Sequence, residues 1–193
     1  MAYSWTPGFC QGTSYPGCSD PQSFWNTHFT LHGLWPQYTT TGYPSYCSTE
    51  EFDDSIPNTI GWSTMTQYWP DVKYDESSSD YDSFWSYEWD KHGTCAGLEQ
   101  LDYFNDAISL IEQFGTPSIL TSAAGTNISA TSLRNAFGGS TYVALQCSGT
   151  TLTGAYTCWT QQSNVPKTQT VCPTSVQSED TCHSSDTIIV PVL

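Results

Sequence analysis

The protein has 193 residues, of which only four are Lys or Arg and 19 are Asp or Glu, so its formal net charge at pH 7 is −15. This length suits one domain over residues 1–193 with its own hydrophobic core, and without a run of about 18 apolar residues the sequence predicts no membrane-spanning helix. The acidic balance excludes a surface that binds nucleic acid through many Lys and Arg contacts, although a catalyst needs only a few local charges.

The first clear element along the chain is a strand in the stretch "HFTLHGLW". Phe29 and Leu31 alternate with polar residues, which predicts a half-buried strand that ends at Gly33. His32 would lie on the polar face of this strand, just before the chain enters a loop. Residues 75–83, "DESSSDYDS", are largely polar and predict an exposed loop.

The next element is a helix predicted from Tyr81 to His92. Trp85 and Trp89 are four residues apart on one face, and we expect them to pack in the core. Glu88 and His92 share another face with the same spacing. Periodicity alone favours the ordinary interpretation of Glu88, as part of a solvated helix face, and the same holds for Lys91.

The second half of the chain changes from helical to strand-like patterns. The clearest helix is predicted from Leu98 to Phe114, with an apolar stripe of Phe104, Ala107, Ile108 and Ile111. A short helix from Ala130 to Phe137 ends in two glycines. The runs "TYVALQC", "TLTGAYTCW" and "TIIVPVL" then predict strands. Strands at both ends with helices between them indicate an α+β fold with an antiparallel sheet.

The eight cysteines indicate disulfides and an oxidising location, either outside the cell or in a vacuole or lysosome. Zinc sites use closely spaced pairs such as C-x-x-C, and no two cysteines here are that close. Eight cysteines allow 105 pairings, so counting them does not give the connectivity. The first residues lack the basic and apolar segments of a secretory signal. Asn127, in the sequon Asn-Ile-Ser, is the candidate glycosylation site.

Two histidines, a lysine and an acid form the candidate catalytic set. Each of His32 and His92 alone has an ordinary interpretation as a capping or core residue. Together, one neutral and one charged imidazole can take and give a proton at mildly acidic pH. Glu88 and Lys91 would add an acid and a cation for developing negative charge. Such a set suits cleavage of a phosphodiester by a neighbouring hydroxyl, and the sequence contains no G-x-S-x-G, P-loop or H-E-x-x-H pattern for other chemistry.

Two segments carrying these residues resemble the active-site segments of the ribonuclease T2 family: "FTLHGLWPQ" at 29–37 and "FWSYEWDKHGTC" at 84–95. Weaker features, "WTPGFC", "YWP" and "LDYFNDAISL", extend the resemblance over nearly the whole chain. The resemblance implies an α+β fold with a central antiparallel sheet packed against helices. It also implies a monomeric endoribonuclease that needs no metal or other cofactor, acts on single-stranded RNA with low base specificity and leaves DNA intact.

The resemblance also implies roles for individual residues. His32 would protonate the leaving 5′-oxygen, and His92 would take the proton from the attacking 2′-OH, which yields a 2′,3′-cyclic phosphate. Glu88 and Lys91 would stabilise the phosphorane. Three aromatic residues would contact bases: Trp35 and Tyr43 on the 5′ side of the cut, and Phe84 on the 3′ side. Stacking of this kind tolerates any base.

The chain departs from the family pattern at three positions. Tyr87 stands where the family usually has a phosphate-binding His, so a neutral phenol replaces an imidazole that can carry charge. Gln37 replaces the acidic residue common after "HGLWP", and an amide both donates and accepts hydrogen bonds. Ser4 stands where a base-contacting Gln is often found.

The cysteine framework of the family implies four pairs. They are Cys10–Cys18, Cys47–Cys95, Cys147–Cys182 and Cys158–Cys172. Cross-links over loops of these sizes typically stabilise the fold by about 2–4 kcal/mol each.

Two other classes of function remain open at this point. Because of Tyr87, the chain could be a secreted relative with reduced catalysis that acts as a binding, effector or storage protein. The high Trp and Tyr content would also suit an unrelated disulfide-rich domain that binds glycans. Retention of all four candidate catalytic residues favours the enzyme.

Overall fold

The computed structural model of the protein describes residues 1–40, 42–182 and 187–193. The strands are β1 (Ala2–Ser4), β2 (Thr30–Gly33), β3 (Asn127–Ser129), β4 (Val143–Ser148), β5 (Thr151–Gln162), β6 (Val165–Thr170) and β7 (Thr187–Ile189). The α-helices are α1 (Thr6–Phe9), α2 (Pro16–Ser19), α3 (Ile56–Ile60), α4 (Trp62–Tyr68), α5 (Ser83–Lys91), α6 (Gln100–Phe114), α7 (Ser118–Ala123), α8 (Ala130–Ala136) and α9 (Thr174–Gln177). Short 3₁₀ helices lie at Ser23–Asn26 and Gly93–Cys95.

The predicted α+β architecture is confirmed, with β5 as the central strand of the sheet. The sheet has the order β2-β1-β5-β7-β3, and β4 and β6 also pair with β5. The pairings are antiparallel except for one parallel bridge between Thr151 of β5 and Ile189 of β7. A 12-residue strand can pair with several partners because different parts of its length face different neighbours.

The main predicted elements are confirmed, with ends that differ by a few residues. Strand β2 ends at Gly33 and α6 ends at Phe114, as the patterns predict. The predicted helix over 81–92 is shorter, because residues 81 and 82 form a turn and α5 begins at Ser83. Among the described residues, no helix has the length and apolar character needed to cross a membrane.

All four disulfides implied by the family resemblance are present. They join Cys10 to Cys18, Cys47 to Cys95, Cys147 to Cys182, and Cys158 to Cys172. The second bridge links the loop after β2 to the residues that follow α5. It therefore connects the two segments that carry the candidate catalytic residues.

Three buried aromatic residues fix the position of α5 relative to β2. Trp85 of α5 donates its indole N–H to the Trp69 carbonyl at 2.7 Å, and Trp69 donates to the His32 carbonyl at 3.1 Å. Tyr103 of α6 donates its hydroxyl to the Leu34 carbonyl at 2.9 Å. All three side chains are completely or almost completely buried, as expected for Trp85. Buried donors with partners of this kind hold a backbone in one position, because losing the bond would leave them unsatisfied.

Candidate active site

His32 lies at the end of β2 and faces a cavity. Its side chain keeps 45 % of its surface exposed, and its Nε2 lies 3.8 Å from Glu88 Oε1. The ring contacts Trp35 and Phe84 edge-on, at centroid distances of 5.2 and 5.4 Å. His32 is therefore positioned by neighbours on both sides and is still accessible to a substrate.

Glu88 is buried, contrary to the solvated helix face that periodicity favours. It is 1 % exposed, its Oε2 accepts a 2.7 Å hydrogen bond from the Trp35 indole N–H, and its Oε1 has no hydrogen-bond partner among the described residues. A Cβ at Gly33 would overlap both Glu88 Oε2 and Trp35 Nε1. A glycine at position 33 therefore leaves the space in which this hydrogen bond forms.

His92 lies directly after α5 and is 3 % exposed. Its ring stacks on Trp35, with centroids 4.9 Å apart and planes 24° apart, and the Tyr43 ring lies 5.8 Å away. The Nδ1 atom of His92 is buried and has no hydrogen-bond partner in the structure. Trp35 thus holds two groups at once: its N–H binds the carboxyl of Glu88 and its ring face supports His92.

Lys91 and Tyr87 form the solvent-facing side of the same helix. Lys91 Nζ donates a 2.9 Å hydrogen bond to the Tyr87 hydroxyl, one helical turn earlier. Tyr87 is 46 % exposed, so its ring does not belong to the core. This contact raises the pKa of Lys91, which remains a cation.

Two neighbouring cavities meet at His32 and Tyr87, which line both. The cavity of about 300 Å³, here the histidine cavity, is also lined by Trp35, Glu88, Lys91 and His92. The cavity of about 440 Å³, here the aromatic cavity, is also lined by Phe9, Asp71, Lys73, Tyr74 and Phe84. All four candidate catalytic residues thus face one cavity, although β2 and α5 are far apart in sequence.

Burial shifts the pKa of each buried group toward its neutral form. The pKa of Glu88 rises to about 8, because desolvation outweighs the Trp35 hydrogen bond and the Lys91 charge. The pKa of His92 falls to about 4 through burial, with smaller effects of Lys91 and His32. The pKa of His32 also falls to about 4, through desolvation and the charges of Lys91 and Lys73. Between about pH 4 and 8, Glu88 therefore holds its proton and the His32 ring is neutral.

The remaining predicted site residues are spread over both cavities and one distant strand. Gln37 and Tyr43 line the histidine cavity, and Phe84 lines the aromatic cavity. Ser4, at the end of β1, also lines the aromatic cavity. Asn127 is exposed on β3, and its glycosylation stays a prediction.

Several contributors to the site have little or no signal in the sequence. Asp71 and Lys73 follow "YWP", and only the fold shows that they line a cavity beside His32. The support that Trp35 gives to Glu88 joins residues 53 positions apart. Gly33 does have a signal in the sequence, since it lies between His32 and Trp35 in the segment that resembles the family. No group of three or more His, Cys, Asp or Glu side chains suited to a metal ion occurs in the part of the chain that the structure describes.

Comparison with known proteins gives one family. The model of the "Ribonuclease T2 family" matches residues 1–175. Ribonuclease 3 of Arabidopsis thaliana is 33 % identical over 62 % of this chain and 53 % of its own length. A ribonuclease-like storage protein of Panax ginseng is 36 % identical over 62 % of this chain and 48 % of its own. The chain thus spans about half the length of these curated relatives.

Solved structures agree in fold. Ribonuclease MC1 from bitter gourd seeds is 26 % identical, with a TM-score of 0.62 over 80 % of this chain and 84 % of that one. Variants of that protein have been solved in complex with 5′-GMP and with 5′-UMP. RNase NT in complex with 5′-AMP is 24 % identical, with a TM-score of 0.75 over 100 % of this chain and 96 % of that one, and shows the fold alone.

Proposed function

Because the chain belongs to the ribonuclease T2 family, we propose that it is an endoribonuclease that cleaves single-stranded RNA by transesterification without a metal ion. The observation that carries this proposal is the convergence of His32, Glu88, Lys91 and His92 on one cavity. The products would be a 2′,3′-cyclic phosphate and a free 5′-hydroxyl. DNA, which lacks the attacking 2′-OH, would stay intact.

His92 is the proposed base. Its lowered pKa, about 4, keeps the imidazole neutral at mildly acidic pH, and only the neutral form can accept a proton. It would take the proton of the 2′-OH as that oxygen attacks phosphorus. A buried base of this kind suits an enzyme that works in an acidic compartment.

His32 is the proposed acid, and Glu88 lies beside it. His32 Nε2 lies 3.8 Å from Glu88 Oε1, and Glu88 keeps its proton up to about pH 8. An arriving phosphate places negative charge beside the exposed part of His32 and raises the pKa of its ring. The charged ring would then give its proton to the 5′-oxygen as the P–O bond breaks.

Glu88 and Lys91 would stabilise the phosphorane in different ways. With a pKa near 8, Glu88 is a neutral carboxylic acid at acidic pH, so it can donate a hydrogen bond to a phosphate oxygen instead of repelling it. Lys91 supplies the positive charge, and the Tyr87 hydroxyl lies beside it. Preorganised groups of this kind give large electrostatic contributions to catalysis.

Base contacts would explain how so acidic a protein holds RNA. Trp35 and Tyr43 are the proposed contacts on the 5′ side of the cut, where Tyr43 is 51 % exposed and offers the more accessible face. Phe84, whose ring centroid lies 5.4 Å from that of His32, would stack on the base on the 3′ side. Two of the four cations of the chain, Lys73 and Lys91, line the two cavities. The few positive charges are therefore concentrated where phosphates would pass.

The alternative, a family member with reduced catalysis that acts as a storage or effector protein, rests on Tyr87 and on the name of the ginseng relative. It is not favoured, because a chain without catalysis has no physical need for all four catalytic groups in one cavity. The four disulfides fit an oxidising compartment. Within that class, we propose a monomer that is secreted or located in a vacuole or lysosome.

The direct test is incubation of the protein with labelled single-stranded RNA and DNA of one sequence between pH 4 and 7, with and without excess chelator. We expect RNA fragments with cyclic phosphate ends in both cases and intact DNA. The His32→Ala protein controls for contaminating nuclease. Cleavage that the chelator abolishes, or equal cleavage of DNA, would overturn the proposal.

A further inference from the structure

One ring that lines the aromatic cavity, that of Phe9, stacks on a second exposed ring outside it. Phe9 lines the cavity and is 43 % exposed, and Tyr15 is 37 % exposed. Their rings stack, with centroids 6.1 Å apart and planes 14° apart. Tyr74 lines the same cavity and is 36 % exposed. We call Phe9 and Tyr15 the aromatic platform.

The platform is held in place by covalent and backbone contacts. The Cys10–Cys18 disulfide closes the loop that carries Tyr15, and Phe9 directly precedes Cys10. The Gly17 amide donates a 3.0 Å hydrogen bond to the carbonyl of Val72, a residue in the cavity wall. A Cβ at Gly17 would come within 2.8 Å of the Val72 Cα, so the two backbones touch here. A ligand that leaves the cavity would therefore meet rings that are already ordered.

A cation lines the aromatic cavity together with Phe9 and His32. Lys73 lines the aromatic cavity, and its charge contributes to the lowered pKa of His32. Its backbone N–H donates to the Asp71 carboxylate at 3.1 Å, which fixes the segment. In a chain with only four Lys and Arg residues, a lysine at this point favours a ligand with phosphates.

We infer that the aromatic platform binds a third nucleotide of the RNA, the one that follows the nucleotide held by Phe84. This inference rests on the proposed function. RNA is a polymer, so the strand on the 3′ side of the cut has to leave the aromatic cavity. Lys73 would contact the phosphate that joins the second and third nucleotides, and the third base would stack on Tyr15. The occupant follows from the continuity of the platform with the cavity that contains His32.

The subsite would contribute binding energy that is the same in the ground state and the transition state, because it lies away from the scissile bond. Such energy lowers KM and leaves kcat unchanged. Because the third base would stack on one face of Tyr15, we expect an effect at the lower end of the range for base stacking, about five- to tenfold in affinity.

Three substrates with one cleavable linkage test the inference. The first is a dinucleoside monophosphate, the second is the same molecule with a 3′-terminal phosphate, and the third is a trinucleotide with deoxyribose at its second position. In the wild type, we expect KM to be about five- to tenfold lower for the trinucleotide than for the second substrate, at equal kcat. Tyr15→Ala should abolish this difference, and Tyr15→Phe should retain it. Phe114→Ala, at an exposed ring that lines neither cavity, is the matched control.

An equal KM for the second and third substrates, or a gain that persists in Tyr15→Ala, would overturn the subsite even if the enzyme is active. Equilibrium binding of all-deoxy dinucleotide and trinucleotide, followed by tryptophan fluorescence, gives a readout independent of turnover. If no substrate is cleaved but the trinucleotide still binds five- to tenfold more tightly, and Tyr15→Ala removes that gain, the subsite stands and the proposed function fails.

Discussion

The candidate active site contains a buried pair and a solvent-facing pair of residues that come from one stretch of chain, and different interactions position the two pairs. Glu88 and His92 are 1 % and 3 % exposed, and burial shifts the pKa of each toward the neutral form, to about 8 and about 4. Lys91 and Tyr87 lie on the same helix, remain accessible to solvent and contact each other. We refer to these as the inner pair and the outer pair. The inner pair depends on packing from distant parts of the chain, whereas the outer pair depends mainly on helical spacing.

The largest effect is expected from the histidines. His92→Ala and His32→Ala should each lower kcat/KM on a dinucleotide by about 10²–10⁴-fold, the usual range for general acid–base catalysis. The double variant should lose little more than the worse single one, because the two groups act as a unit. His28→Ala is the matched control, since its ring stacks on Phe24 and lines neither of the two cavities. Near-normal turnover in His32→Ala would place the acid elsewhere.

The second largest effect is expected from a substitution at Gly33, which would disturb the inner pair without contacting the substrate. In Gly33→Ala, the new methyl group overlaps Glu88 Oε2 and Trp35 Nε1, so both side chains must move. Because misplacement by about 1 Å can cost about 100-fold, we expect a loss of that order in kcat. The control is Gly149→Ala, where φ is +59° and no atom lies within 4 Å of the added Cβ. It should lower the melting temperature without changing kcat, and an unchanged kcat in Gly33→Ala would contradict the assigned role of Gly33.

Removal of the hydrogen bond between Trp35 and Glu88 should change the pH dependence of kcat/KM. The wild-type kcat/KM should fall below about pH 4, as His92 becomes charged, and above about pH 8, as Glu88 loses its proton and its carboxylate repels the phosphate. The Trp35 indole N–H lowers the pKa of Glu88, so Trp35→Phe should move the alkaline limit to higher pH and lower kcat about tenfold. Trp25→Phe loses a similar indole bond, to the Gln67 carbonyl at 3.0 Å, and should leave the pH profile unchanged.

Trp35→Phe should also change how the stability of the protein depends on pH. The pKa of Glu88 is raised on folding from 4.5 to about 8, so its contribution to stability is complete below pH 4.5 and is lost as the pH rises to 8. Trp35→Phe should extend this decline to higher pH and cost about 1–3 kcal/mol for the unsatisfied buried oxygen. Urea unfolding between pH 4 and 9 measures both. If the free energy of unfolding fell by the same amount at every pH, the hydrogen bond would not affect the pKa of Glu88.

The outer pair should give the smallest effects, and these should fall on binding. Tyr87→His should lower KM more than it raises kcat, chiefly below about pH 6.5, because a charged imidazole binds phosphate more strongly than a phenol. Lys91 lies one turn away and opposes a second cation, which limits the gain to a few-fold. Tyr87→Phe keeps the ring and should raise KM a few-fold. Steady-state kinetics from pH 4 to 8 would detect these changes, and an unchanged KM in both variants would show that position 87 does not contact the phosphate.

Strong periodicity made part of the fold predictable. Phe29 and Leu31 alternate in β2, and Trp85 and Trp89 lie on one face of α5, because each pattern buries one side of a regular element. Strand β1 has only three residues and forms through its pairing with β2 and β5, so it leaves no local signal. Strand β6 is half-buried to exposed along its length and lacks apolar alternation. A hairpin turn joins β5 to β6 at Ser163 and Asn164, which both have positive φ. This polar pair is the local signal for the hairpin, and hence for β6.

The sequence by itself determined which chemical groups the candidate active site contains, because two recognisable segments carry both histidines, the acid and the lysine. Only the tertiary structure decided the state of those groups. Periodicity favoured a solvated Glu88, yet Trp35, 53 positions earlier, and the absence of a Cβ at Gly33 give its carboxyl a buried place in which the neutral form is stable. Ionisation depends on desolvation and on neighbouring charges, and both are properties of the packed fold that no local pattern encodes.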